Sequence, residues 1–263
     1  MTSVAASKVG LPPKRSGIGH WLAGFGAMLR WEVTNMRLLL PITMMVQLLS
    51  GAGLVIGFGL LIGDMPEQTA LFLSTGAVVI TLILVGLVMG PQLVAQQKMD
   101  GSYDFMWSLP VPRSASTCAW LVLNVFIALP GMVGALLVAM WRYDVSFTVG
   151  GLVLPAVLLT LVCGTLLGYA MAHSIPKPEV TQLISQFLIF AIFGFSPISY
   201  PAENLPRWLA ELHQYLPFGH MANVVRASLT NGIAADVGRS YFVLAVWTLL
   251  AAALSGLVLG RRK

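Results

Sequence analysis

Charge is what this chain of 263 residues has least of. Asp, Glu, Lys and Arg together make up 10% of it, against about 25% in an average soluble protein. No Lys or Arg occurs between Arg37 and Lys98, or between Lys177 and Arg207. One such residue at a bilayer centre costs roughly 2.5–3.5 kcal/mol, so gaps of this length are what lipid selects. Cysteine is equally scarce: Cys118 and Cys163 are the only two. A disulfide framework and a thiolate metal site are therefore excluded, and both residues read as small packing groups. The first 20 residues lack an apolar run and contain Pro12, Pro13, Lys14 and Arg15. No cleavable signal peptide is expected there, and the first apolar segment is expected to act as its own insertion signal.

Several kinds of chemistry are also missing. There is no Gly-x-x-x-x-Gly-Lys-Ser/Thr phosphate loop, so the chain is not expected to hydrolyse ATP itself. There is no His-Glu-x-x-His zinc pattern. His213 and His220 are interrupted by Pro217, and no metal is expected. No Asp or Glu falls inside an apolar segment, which argues against proton coupling of the secondary-transporter kind. Ser and Thr are scattered without a partner base, which gives little support to a nucleophilic enzyme. Basic residues are not interleaved with aromatics in a patch, so nucleic acid is not an expected partner.

What is present is apolar: 57% of the residues are hydrophobic. Six segments are long enough to cross a bilayer, at 38–62, 69–94, 117–141, 150–172, 180–197 and 240–260. Backbone groups in lipid must be satisfied within the segment, so these are predicted helices. The alternation a barrel needs is absent. The fold class is an all-α polytopic membrane protein with six transmembrane helices. With six spans both termini share one side. That side holds eleven Lys and Arg residues, and the other holds only Arg142, Arg207, Arg226 and Arg239. The positive-inside rule then puts both termini in the cytoplasm, in the cell (inner) membrane.

Residues 1–19 read as a disordered cytoplasmic tail, and 20–263 as a single transmembrane domain without internal repeats. Within 20–37, Leu22, Phe25, Leu29, Val33 and Met36 share one helical face, while Arg30, Thr34 and Arg37 fall on another. This predicts an amphipathic helix in the cytoplasmic interface, anchored by Trp21 and Trp31. A cytoplasmic extension of the first span is the alternative. Gly90-Pro91 marks a kink or the exit of the second span. His173, at a cytoplasmic helix end, reads as an interfacial residue. The stretch 196–239 is too polar and too rich in proline for a simple span. It predicts two short outer helices, one after Asn204-Leu205-Pro206 and one from His220 to Thr230.

A set of neutral polar residues in the spans stands out: Gln47, Asn124, Gln182 and Gln186. Gln182 and Gln186 are four apart and face one direction. They serve either as hydrogen-bonding contacts between helices or as the polar lining of a substrate path.

The longest internal cytoplasmic loop reads Lys98-Met99-Asp100-Gly101-Ser102-Tyr103-Asp104-Phe105-Met106-Trp107-Ser108-Leu109-Pro110-Val111-Pro112-Arg113. It resembles the corresponding loop of ABC transporter type-2 permeases, in which a Gly-Thr/Ser step precedes a short helix and a Leu-Pro-Val-x-Arg-like end. The run Pro197-Ile198-Ser199-Tyr200-Pro201-Ala202-Glu203-Asn204-Leu205-Pro206-Arg207-Trp208-Leu209 resembles their outer segment between spans five and six, and Tyr215-Leu216-Pro217-Phe218 with Arg226 continues the likeness. Where family members often carry an acidic residue with a neighbouring Arg, this chain has Gln97, Lys98 and Asp100. The resemblance implies an export permease built as a dimer of such chains, homo- or heteromeric. Two separate ATPase subunits would bind the ATP and Mg²⁺. The loop itself offers a short helix at 101–109. Tyr103, Phe105, Met106 and Trp107 are its apolar anchors and Asp100 and Asp104 its charges. Gly101, Leu109, Pro110 and Arg113 frame it. Aromatic anchors suit a protein interface, which makes this helix the candidate ATPase-docking element. Aromatics resting on the lipid surface are the alternative. The expected cargo is an amphipathic compound such as a drug, a peptide or a lipid-like molecule. An ion-coupled secondary transporter and an intramembrane enzyme or scaffold are the competing classes.

Overall fold

A computed structural model describes residues 17–63 and 65–261. The predicted tail therefore lies outside the described residues as far as residue 16. Among the described residues there is no strand. The order is α1 (Ile18–Met36), α2 (Leu40–Ile62), α3 (Glu67–Ile83), a π-helical turn (Leu84–Met89), α4 (Gly90–Met99), α5 (Ser102–Ser108), α6 (Arg113–Tyr143), α7 (Val153–Ser174), α8 (Pro178–Phe195), a short 3₁₀ turn (Ala202–Asn204), α9 (Arg207–His213), α10 (Pro217–Leu229) and α11 (Val237–Arg261). Six helical stretches are long and apolar enough to span, with α3, the π turn and α4 counting as one. At 13 residues, α10 reaches only about 20 Å, short of the roughly 30 Å hydrocarbon core. The even number of spans therefore stands.

The spans do not share burial equally. The α3–α4 stretch is almost wholly enclosed, whereas α2, α8 and α11 leave most of their apolar side chains exposed. Exposed leucine and phenylalanine on that scale fit a lipid-facing perimeter around one central helix. α2 lies along α6, and α7 lies against both the π turn and α11. Where α2 crosses α6, a Cβ on Gly51 would collide with the carbonyl of Gly131. Where the π turn crosses α7, a Cβ on Gly168 would collide with the carbonyl of Gly86. Small residues at such crossings let backbones approach, which is how helices gain packing energy in lipid.

The second span does not leave the membrane domain at Gly90-Pro91. It continues to Met99, and the disturbance is absorbed just ahead of Pro91. Proline has no N–H and its ring crowds the carbonyl four residues back. The preceding turn widens to the π form, and the Gly90 N–H donates to the Val85 carbonyl. The observed α1 begins at Ile18, and its covered face carries Gly24, Met28, Glu32 and Met36. Leu22 and Val33, of the predicted apolar face, are exposed. The α6–α7 connection ties down the far end of α10: the Thr148 and Gly150 N–H groups donate to the carbonyls of Leu229 and Ser228, both at 3.0 Å.

Candidate functional site

The docking-helix candidate is built from a reversal and a lock. Gly101 takes a left-handed conformation (φ 77°) and turns the chain out of α4, a geometry that glycine adopts without a Cβ clash. Asp100 Oδ1 accepts from the Ser102 N–H (3.0 Å) and the Ser102 hydroxyl (2.6 Å), closing an Asx turn. These hydrogen bonds, the side-chain one first, hold the Asp100 carboxyl below its ordinary pKa. α5 then runs for seven residues.

The aromatics of α5 point two ways. Tyr103 is buried with Val94 and Ala172. Its ring lies 5.6 Å from His173 and 5.8 Å from Trp107, and Trp107 lies 5.8 Å from His173. His173 itself sits 3.9 Å from the Tyr169 ring, and its Nδ1 pairs with the Tyr169 carbonyl at 2.9 Å. It is therefore buried in this cluster, not in an interface with solvent as its position in the sequence predicts. Arg113 stands over the Trp107 ring at 5.5 Å. Met106, Leu109 and Trp107 line a small recess of about 160 Å³ with Met28 and Tyr169. Gly101, Asp104, Phe105 and Pro110 remain exposed. Phe105 lies 5.6 Å from Trp31 of α1. α1 braces the same loop twice more. The Trp21 indole donates to Ser114 Oγ at 2.9 Å, and Gly24 packs beneath Val111 and Pro112.

Lys98 joins α4 to the end of α7. Its Nζ donates to the carbonyls of Ala172 (2.6 Å) and Ile175 (2.7 Å). The last carbonyls of a helix lack intrahelical partners and carry partial negative charge, so an ammonium there is a cap. The lysine also stands 5.2 Å from the Tyr103 ring. Sequence reasoning does not select Lys98, Tyr169 or His173 for this site. His173 lies some seventy positions from Tyr103, and nothing local signals that pairing.

The four polar span residues do not form one group. Gln182 and Gln186 of α8 meet Gln92 and Gln96 of α4 in an open recess of about 510 Å³, floored by Met89 and Leu93. Gln92 and Gln96 repeat the four-residue spacing of Gln182 and Gln186, a signal present in the sequence. Gln47 is buried on α2, and its Nε2 contacts the Met89 sulfur at 3.2 Å. It stands behind the recess and not in it. Asn124 is buried in α6, donating to the Trp120 carbonyl at 2.8 Å. It acts as an intrahelical contact.

Residues 64–257 match the family described as ABC-2 family transporter protein. The chain belongs to that family. It is a multi-pass membrane protein and the membrane component of an ABC transporter. Permease domains of this family are transmembrane subunits whose ATPase resides in separate subunits, with which they associate. No curated protein matches this permease. The matched range takes in both the α5 loop and the glutamine recess, while α1 lies ahead of it.

Proposed function

We propose that this permease exports an amphipathic compound, of drug, peptide or lipid-like character, driven by separate subunits that bind ATP and Mg²⁺. α5 is the element those subunits push. The observation that carries this reading is the two-sided build of α5. Asp104 and Phe105 face outward for a partner, while Tyr103 and Lys98 fasten the helix to α7. A push on the outer face is then delivered to α7 and α4, and through the Gly86–Gly168 crossing to the buried π turn. π turns sit often at functional positions because their hydrogen bonding is easily rearranged. Both termini and α5 lie on the cytoplasmic side in this reading.

The export path runs along the α4–α8 recess. Four glutamines on an otherwise lipid-like surface are costly unless they meet water, cargo or a second permease chain. A second chain closing over this face completes the path. The glutamines of the recess then serve substrate while Gln47 supports them from behind.

Two changes separate docking from force transmission. Asp104→Ala with Phe105→Ala removes the outward face and is expected to lower co-purified ATPase subunit by about tenfold or more, as for truncated interface anchors. Lys98→Met leaves the outward face intact. It is expected to keep the ATPase bound while transport falls severalfold. Retained ATPase in the first variant would sink the docking role, and normal transport in the second would sink the Lys98 linkage.

A further inference from the structure

The elbow between α1 and α2 carries a recess of about 400 Å³, lined by Trp31, Thr34, Asn35, Arg37 and Leu38. Trp31, Thr34, Asn35 and Leu38 have the spacing of one helical face. All of these lining residues are exposed. They lie away from Glu32 and Met36, which belong to the covered face of α1. Arg37 is the only charged residue in the lining. Among the described residues no carboxylate pairs with its guanidinium. Arg30 stands seven positions back, close to two helical turns, and is exposed along the same edge.

Leu38 belongs both to the recess and to a second feature. Leu38, Ile42, Met45 and Leu49 follow at steps of four, three and four, so they form one stripe leading up α2. Each is more than half exposed. From Leu38 to Leu49 the stripe rises about 16 Å, the depth of one leaflet of a hydrocarbon core roughly 30 Å thick. A polar, cationic recess thus stands at the head of an apolar track, and a diacyl phospholipid has the matching shape. Its phosphate suits the guanidinium, which can present two parallel N–H groups to the oxygens. Thr34 and Asn35 offer donors to its ester and glycerol oxygens. Trp31 suits the head-group level, where indole rings collect. The lining also selects among head groups. It contains no Asp or Glu, so the ammonium of a zwitterionic lipid would find no partner there. An anionic head group brings only the charge that Arg37 lacks. Anionic lipids belong to the cytoplasmic leaflet, the side on which the charge bias predicts this elbow.

We propose that the α1–α2 elbow binds an anionic phospholipid of the cytoplasmic leaflet, with Arg37 on its phosphate and an acyl chain along Leu38, Ile42, Met45 and Leu49. The inference goes beyond the ATPase reading and survives its failure, because it needs neither a partner on α5 nor cargo in the glutamine recess. The test is native mass spectrometry of the full-length protein, with whatever subunits accompany it. The protein is released from nanodiscs that hold equal parts of palmitoyl-oleoyl phosphatidylglycerol and palmitoyl-oleoyl phosphatidylethanolamine. Phosphatidylglycerol is expected to stay bound in about tenfold excess, as for a hydrogen bond to a charged group. Arg37→Gln is expected to bring the two lipids close to equal retention. That change also removes a positive charge from the whole surface, so a second variant keeps the charge: Asn35→Trp fills the recess from α1 and is expected to lower the excess to the same degree. Both positions are exposed, and both variants leave Trp31 in place against Phe105. Equal retention of the two lipids by the parent protein, or an undiminished phosphatidylglycerol excess in either variant, would overturn the proposal.

Discussion

Gly168→Val is expected to remove most of the folded protein from the membrane. The substituted Cβ would lie inside the space of the Gly86 carbonyl oxygen and against Leu87. A side chain in that place could rotate away, but a backbone carbonyl in the centre of the bundle cannot. The widened turn that carries it is held by Pro91 and by the Gly90 bond to Val85. Overpacking a core costs typically 1–3 kcal/mol, and occasionally more. The blocked backbone contact puts this site at or above the upper end, against a total stability of about 5–15 kcal/mol. Gly51→Val is expected to act in the same way at the α2–α6 crossing. Gly256→Val is the control: it lies in α11, and a Cβ there would meet nothing within 4 Å. The check is the folded, monodisperse fraction after detergent extraction. Gly256→Val should match the parent protein, and Gly168→Val should be severely depleted.

Glu32→Gln is expected to stabilise the protein above neutral pH and to flatten its stability profile. Glu32 is buried on the covered face of α1, and its Oε2 has no hydrogen-bond partner. Desolvation raises its pKa from 4.5 to about 7. The folded state therefore holds a proton that the unfolded state has released, in the window between those values. Stability falls as pH rises through that window and levels off above about 7. The full shift corresponds to roughly 3 kcal/mol. In Glu32→Gln that loss is absent. Thermal unfolding between pH 5 and pH 8 reads this directly. A parent protein equally stable at both ends of the range would refute the buried, unpaired carboxylate.

The six spans are legible because charge is excluded from lipid without regard to which neighbour a helix meets. The gaps from Arg37 to Lys98 and from Lys177 to Arg207 need no tertiary knowledge. The face of α1 is not legible in the same way. Leu22 and Val33 are apolar yet exposed, while Gly24 and Glu32 are covered. Apolar residues serve a lipid-facing surface as well as a protein core, so hydrophobicity does not say which face meets protein. Pro91 announces a break, but the form in which the helix absorbs it, a π turn with the Gly90 N–H donating to the Val85 carbonyl, has no signal of its own in the sequence. In α5 the aromatic anchors are visible, while their division is set by His173. Tyr103 and Trp107 turn inward to it, and Phe105 does not. The α8 half of the glutamine recess follows from spacing alone. Of its α4 half, Gln92 falls inside the predicted 69–94 segment and Gln96 just past its end, so the segment boundary splits the pair.

In the proposed function, the exposed face of α5 receives an ATPase subunit, and everything else in the force path depends on that contact. A photo-cross-linking residue in place of Phe105, followed by mild extraction from the native membrane and mass spectrometry of the adduct, tests it most directly. The expected result is a cross-link to a separate subunit that carries a Gly-x-x-x-x-Gly-Lys-Ser/Thr phosphate loop. Adducts to lipid alone, under conditions that keep other membrane complexes intact, would contradict it.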